Sequence, residues 1–129
     1  MTAHGQFHWN ELMSRDVEKA KTFYADTLGW SFESMDMGPQ GIYWVAMHDG
    51  DAVGGMYEMA GSDFDGMPEA WCPYIAVDDV DARVEKARAA GATVLGEPFD
   101  VPQVGRIAMI REPGGALVGW IVPADPPAA

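Results

Sequence analysis

The chain has 129 residues, 48% of them hydrophobic, enough to build one core and too many for a collagen-like, low-complexity or largely disordered chain. Eight Lys+Arg stand against 20 Asp+Glu, a formal net charge of −12, which repels phosphate backbones and anionic lipid heads and argues against nucleic-acid and membrane-surface roles. No apolar run approaches the ~18 residues that cross a bilayer.

The opening MTAHGQFHWN has no basic patch followed by an apolar stretch, so no secretory leader is expected. Residues 7–13, FHWNELM, read as a strand, and residues 16–29, DVEKAKTFYADTLG, as a helix. Asp16 supplies an N-cap and Gly29 a C-terminal stop, while Val17, Ala20, Tyr24 and Leu28 are spaced for one buried stripe. Three strands follow at 30–35, 42–47 and 52–59, the last two joined by the turn His48-Asp49-Gly50-Asp51. Residues 60–70, AGSDFDGMPEA, have the glycines, acids and proline of an exposed linker. WCPYIAV at 71–77 is the next strand, and Pro73, which has no N–H for a ladder, predicts that it lies at a sheet edge. A second helix runs from Asp79 to Gly91 with Val80, Val84 and Ala87 on its buried side. Strands at 93–99, 106–110 and 116–122 follow, and the tail 123–129, with three prolines, reads as frayed.

The second half repeats the first. Asp16-Val17 recurs as Asp79-Val80, and Trp9 falls on Cys72 at the same shift. At a shift one residue longer, Gly41–Met47 overlays Gly105–Arg111 and Ala52–Gly55 overlays Ala116–Gly119. The plan is therefore one domain, residues 1–129, of two βαβββ modules at 6–59 and 71–122.

Two tandem βαβββ modules resemble the vicinal oxygen chelate superfamily, the glyoxalase, bleomycin-resistance and extradiol-dioxygenase group. The phrase D-x-x-x-A-x-x-F-Y-x-x-x-L-G-W at 16–30 matches its first helix, and VDDVDARVEKARAAGATVLGEP at 77–98 and REPGGALVGW at 111–120 are similar to its second-half phrases. The resemblance implies an α+β fold in which the modules form a cup-shaped mixed sheet with helices outside. It also implies four cup-facing metal-ligand positions, which by register are Trp9, Gly55, Cys72 and Gly119. Trp and Gly offer no donor, and one thiol is not a site, so no metal and no other cofactor is expected there. Glyoxalase I, extradiol-dioxygenase and fosfomycin-resistance activities, which depend on that metal, are argued against.

Strand alternation then selects the neighbours of those positions. Trp9 brings Phe7, Glu11 and Met13 to its face, Cys72 brings Tyr74, Gly55 brings Tyr57, and Gly119 brings Leu117 and Ile121. The expectation is one ligand cavity between the modules, lined by Trp9, Glu11, Gly55, Tyr57, Cys72, Tyr74 and Gly119. Its two glycines leave room for the ligand. Glu11 either meets a cationic or hydrogen-donating ligand, serves as a general base, or sits at a solvated rim or against an arginine. Trp9 either stacks on a planar ligand or fills the space of the absent metal. Cys72 reads as an inert buried thiol, because no base neighbours it in sequence. His4 falls in a mobile N-terminus, and His8, Glu58 and Glu112 are the residues left for a displaced metal site.

The function expected is metal-independent binding of a small apolar or aromatic molecule, as bleomycin-resistance members sequester drugs. The alternative is a lyase, isomerase or hydroxylase/dioxygenase-type enzyme, acting through Glu11 or a displaced metal, and whether any reaction occurs stays open. Exposed sheet edges predict a homodimer. The lone cysteine suits a reducing cytoplasm.

Overall fold

Two aspartates start the helices. Asp16 Oδ1 accepts from the Lys19 N–H at 3.0 Å, and Asp79 Oδ1 accepts from the Ala82 N–H at 3.1 Å. Each thereby satisfies one of the N–H groups that a first helical turn leaves free. The computed structural model describes residues 4–38, 41–59, 66–101 and 104–124. In chain order these form β1 (Phe7–Ser14), α1 (Val17–Leu28), β2 (Ser31–Asp36), β3 (Ile42–His48), β4 (Asp51–Glu58), β5 (Ala70–Ala76), α2 (Val80–Ala89), β6 (Thr93–Val94), β7 (Phe99–Val101), β8 (Gly105–Arg111) and β9 (Leu117–Pro123). The fold is α+β, built from the two repeated modules.

Contacts divide the chain into two compact units: Trp9–Cys72, and Met1–His8 with Pro73–Ala129. In the first unit the strands lie in the order β2-β3-β4-β1. β2–β3 and β3–β4 are antiparallel, and β1 runs parallel to β4 with Glu11 opposite Gly55 and Met13 opposite Tyr57. Helix α1 covers one face. Its Val17 packs with Leu12 of β1 and Met56 of β4, and Ala20, Tyr24, Phe32, Trp44 and Trp71 close around them. Leu28, expected in the buried stripe, is half exposed. The helix stops beside it at Gly29, which takes a φ of 74°, and Trp30 stacks on Tyr24 at 4.9 Å.

In the second unit β5 runs parallel to β9, and β8 lies antiparallel to β9. Helix α2 buries Val80, Val84 and Ala87 against Ala108 and Ile110 of β8 and Val118 of β9. The strand expected at 93–99 is two short strands. β6 pairs with the end of β8 and β7 with its start. Gly96 between them takes a φ of 103°, outside the range a continuous strand allows. β5 is not an edge strand either. Ala76 N–H donates to Gln6 O at 2.8 Å and Ala76 O accepts from Gly5 N–H at 2.7 Å, while the other side of the strand pairs with β9. Pro73 is accommodated because the pairing with β9 begins at the next residue, Tyr74. The chain start is likewise held: His4 Nδ1 accepts from the Asp78 N–H at 3.0 Å. At the far end Ala124 N–H donates to Val104 O. Residues 125–129 of the expected frayed tail, and residues 60–65 of the expected linker, lie outside the described residues.

Candidate functional site

Alternation along the strands of the first unit sorts side chains between two faces. Leu12, Trp44 and Met56 enter the core under α1. Trp9, Glu11 and Met13, Tyr43, and Gly55 and Tyr57 therefore share the opposite face. Glu11 is opposite Gly55 in the β1–β4 ladder, and Tyr43 is opposite Tyr57 in the β3–β4 ladder. The Tyr43 side chain crosses the gap diagonally: a Cβ added at Gly55 would overlap its hydroxyl and ring.

A hydrogen-bonded chain runs across this face. The Trp9 indole Nε1–H donates to the Tyr43 hydroxyl at 2.8 Å, and that hydroxyl is hydrogen-bonded in turn to Glu11. An indole N–H can only donate and an ionised carboxylate can only accept, so the proton direction is set: Trp9 to Tyr43 to Glu11. Glu11 is 8% exposed, and among the described residues no buried side-chain N or O lacks a partner. Burial first, and the Glu11 charge second, push the Tyr43 phenol far above its ordinary value of 10.0. The same two causes, in the same order, raise Tyr57. One carboxylate thus acts on two phenols, and both stay protonated across the physiological range. Cys72, at the end of this unit, is buried and forms no disulfide.

In the second unit Tyr74 and Gly119 are cross-strand partners, and the Tyr74 ring covers the position a Cβ at Gly119 would take. The room expected at Gly55 and Gly119 is therefore not left for a ligand. Each glycine lets a tyrosine of its own unit lie flat against the backbone. The repeat equivalents differ in how this is done. Glu11 occupies in the first repeat the place of Tyr74 in the second, and Tyr43 answers to Ile107. Where the second repeat has an in-register ring, the first has a carboxylate, with the ring supplied from β3.

Tyr43 was not among the residues singled out from sequence. Nothing local to IYWVAM says that it opposes Tyr57, because that register is a long-range property of the sheet.

The four positions that the family resemblance marks for a metal do not fit one. Trp9 and two glycines supply no donor, and the space beside Gly55 and Gly119 is filled by phenol rings. Among the described residues no three His, Cys, Asp or Glu side chains gather into a group able to hold a metal ion, His8, Glu58 and Glu112 included.

On the helix side a shallow groove of about 470 Å³ runs beside Leu12, Ala20, Phe23 and Tyr24. Its polar rim is already engaged. Asp16 caps α1, and Glu69 accepts from the Ser14 hydroxyl at 2.9 Å and the Arg15 N–H at 3.0 Å.

Comparison with known proteins agrees with the repeat and the fold. The sequence pattern of the Glyoxalase/Bleomycin resistance protein/Dioxygenase superfamily matches residues 6–119. The chain is 39% identical over 116 residues to "Putative glyoxylase CFP32" of Mycobacterium tuberculosis, covering 89% of this chain and 44% of that protein. It is 32% identical over 119 residues to the anthracycline biosynthesis protein DnrV of Streptomyces peucetius, covering 84% of this chain and 43% of that protein. It thus spans less than half the length of these two relatives. Among solved structures, methylmalonyl-CoA epimerase from Mycobacterium tuberculosis superposes with a TM-score of 0.66 at 20% identity, over 97% of this chain and 94% of that one. A hypothetical protein from Bacillus halodurans superposes with a TM-score of 0.70 at 13% identity, over 98% of this chain and 100% of that one. At those identities the likeness is one of fold. The matched pattern covers both repeats and most of the chain, and the protein belongs to the Glyoxalase/Bleomycin resistance protein/Dioxygenase superfamily.

Proposed function

We propose that this superfamily member binds a small apolar or aromatic molecule on the face that carries Trp9, Glu11, Tyr43 and Tyr57, with no resident metal. The observation that carries the reading is Glu11: a carboxylate only 8% exposed, set among aromatic rings and hydrogen-bonded by Tyr43. Small-molecule sites combine apolar and aromatic walls with a few fixed polar groups. Gly55, by admitting the Tyr43 ring, belongs to the same construction, and Cys72 lies in the same unit. Tyr74 over Gly119 gives the second repeat an apolar face of related make-up. Titration with the neutral fluorophore N-phenyl-1-naphthylamine tests the reading. Saturable binding is expected, weakened by about 1–3 kcal/mol in Trp9→Ala through lost stacking and burial. Binding that does not saturate, or that Trp9→Ala leaves unchanged, would overturn it.

A second reading rests on the same pair. A buried carboxylate hydrogen-bonded to a phenol has the parts of a general base and its acid partner, as a lyase, isomerase or hydroxylase would use. Glu11-dependent exchange of the α-hydrogens of an aryl ketone with solvent deuterium would favour it over binding alone.

We further propose a homodimer in a reducing compartment. Unpaired strand edges need covering, and a closed two-fold pair is the commonest cover. The single buried thiol suits a reducing milieu. Light scattering should give twice the 14.0 kDa chain mass. The 14.0 kDa species alone at micromolar concentration would contradict the dimer.

A further inference from the structure

Helix α1 carries an exposed ring beside a recess. Phe23 is 56% exposed. Single exposed rings are ordinary on a protein surface, but this one borders the shallow groove of about 470 Å³ that Leu12, Ala20 and Tyr24 also line. The aromatic side of the groove is held in place. Phe23 meets Tyr24 edge-on at 4.9 Å, Tyr24 stacks on Trp30, and the Tyr24 hydroxyl accepts from the Trp71 indole N–H at 3.0 Å. A protruding ring and an apolar recess for a ring thus lie side by side on one surface of the first unit.

We infer that two copies of the chain meet at this surface, each seating its Phe23 in the α1 groove of the other. This rests on the homodimer proposed above and adds the place of contact.

Three considerations favour a second copy as the occupant. A two-fold interface needs a self-complementary patch, in which residue i meets residue j and j meets i. A ring next to its own recess on one element meets that condition. A small molecule fits less well, because small-molecule sites enclose about 70–90% of their ligand. This groove is shallow, and its carboxylates already serve the fold: Asp16 caps α1, and Glu69 holds Ser14 and Arg15. A ring delivered on a second protein surface brings its own cover. The third consideration is charge. The rim carries both signs, Lys19 beside Asp16 and Glu69, and Lys19 is in no ion pair among the described residues. A rim of one sign would repel its own copy, whereas a mixed rim lets Lys19 of one protomer approach the acidic groups of its partner. Elsewhere the net charge of −12 drives two copies apart.

Sedimentation equilibrium and photocrosslinking test the inference. The unaltered chain should dimerise, and Phe23→Ser should raise the dissociation constant about thirtyfold or more, as the loss of a central aromatic anchor does. Ile42→Ser removes a side chain of similar exposure, 51%, outside the groove, and should leave the constant unchanged. Phe23 is more than half exposed, so the melting of Phe23→Ser, compared with the unaltered chain at a dilution where both are monomers, should hardly move. Should Phe23→Ser fail to fold, p-benzoylphenylalanine at position 23 decides the matter. In a mixture of isotope-labelled and unlabelled chains it should crosslink between chains, to the partner's segment 12–24. If the protein dimerises but Phe23→Ser leaves the constant unchanged, or the crosslink falls elsewhere on the partner, the inference falls and the homodimer reading stands on its strand edges. If the chain is a monomer at every concentration, both fall.

Discussion

The hydroxyl of Tyr43 stands where a side chain on Gly55 would begin. An alanine there must push the phenol off both of its hydrogen-bond partners or lift β3 from β4. Gly55→Ala is therefore expected to destabilise the protein by about 1–3 kcal/mol, the usual cost of overpacking a filled position. Urea unfolding with an unchanged m-value would register it. A neutral result would mean that Tyr43 does not occupy that space.

Removing only the hydroxyl tests the hydrogen-bonded chain rather than the ring. In Tyr43→Phe the Trp9 N–H, now 2.8 Å from an acceptor, and the Glu11 carboxylate each lose a partner while the packing stays. Leaving buried polar groups unsatisfied costs about 1–3 kcal/mol. Trp9→Phe removes the donor at the head of the chain. The loss in the double variant should fall short of the sum of the two single losses, because both single changes break the same bond. Strict additivity would contradict the chain.

Much of this architecture is legible in the residues. Asp16 and Asp79 act as caps, and the repeat places both helices and most strands within a residue or two. The failures have identifiable physical causes. The stretch at 93–99 contains its own interruption, Gly96 followed by Pro98, yet it reads as one strand on apolar content alone. Pro73 suggested an edge because sequence does not say that the chain start returns to hydrogen-bond with Ala76. Leu28 keeps the helical spacing but lies at the last turn, where Gly29 ends the stripe. At the site, Glu11 could be named by alternation from Trp9, whereas Tyr43 could not. A glycine in a strand reads equally as a void or as a seat for a neighbouring ring, and only the cross-strand register separates the two.

Acid should loosen the second unit at a defined place. Arg83 holds Asp78 through two hydrogen bonds of 2.9 and 3.0 Å, and this guanidinium lowers the carboxyl from its ordinary 3.8 to about 2. Above pH ~4 the carboxylate is ionised in both the folded and the unfolded chain, and the pair's contribution is fully present. Between ~4 and ~2 the unfolded chain takes up the proton first, so stability falls across that window. Both groups are solvent-accessible, which keeps the effect small and salt-sensitive. The melting temperature of Arg83→Gln should lie below that of the unaltered protein at pH 5, and the two should converge as pH drops to 2. A gap that persists at pH 2 would assign Arg83 a different role.

Tyr74 and Gly119 offer the same steric test without a charge involved. The Tyr74 ring, 5% exposed, lies across the backbone of its cross-strand partner, and a Cβ at 119 would overlap three of its ring carbons. Gly119→Ala alone should cost about 1–3 kcal/mol because the ring has nowhere to go. Tyr74→Ala alone should cost about 3–5 kcal/mol through the cavity it opens, on the scale of other buried aromatic truncations. In the double variant the new methyl group sits in that cavity instead of against the ring. The two losses should then combine to less than their sum, by about 0.5–3 kcal/mol, as contacting positions do. Simple addition in denaturant unfolding would mean that the ring does not rest on Gly119.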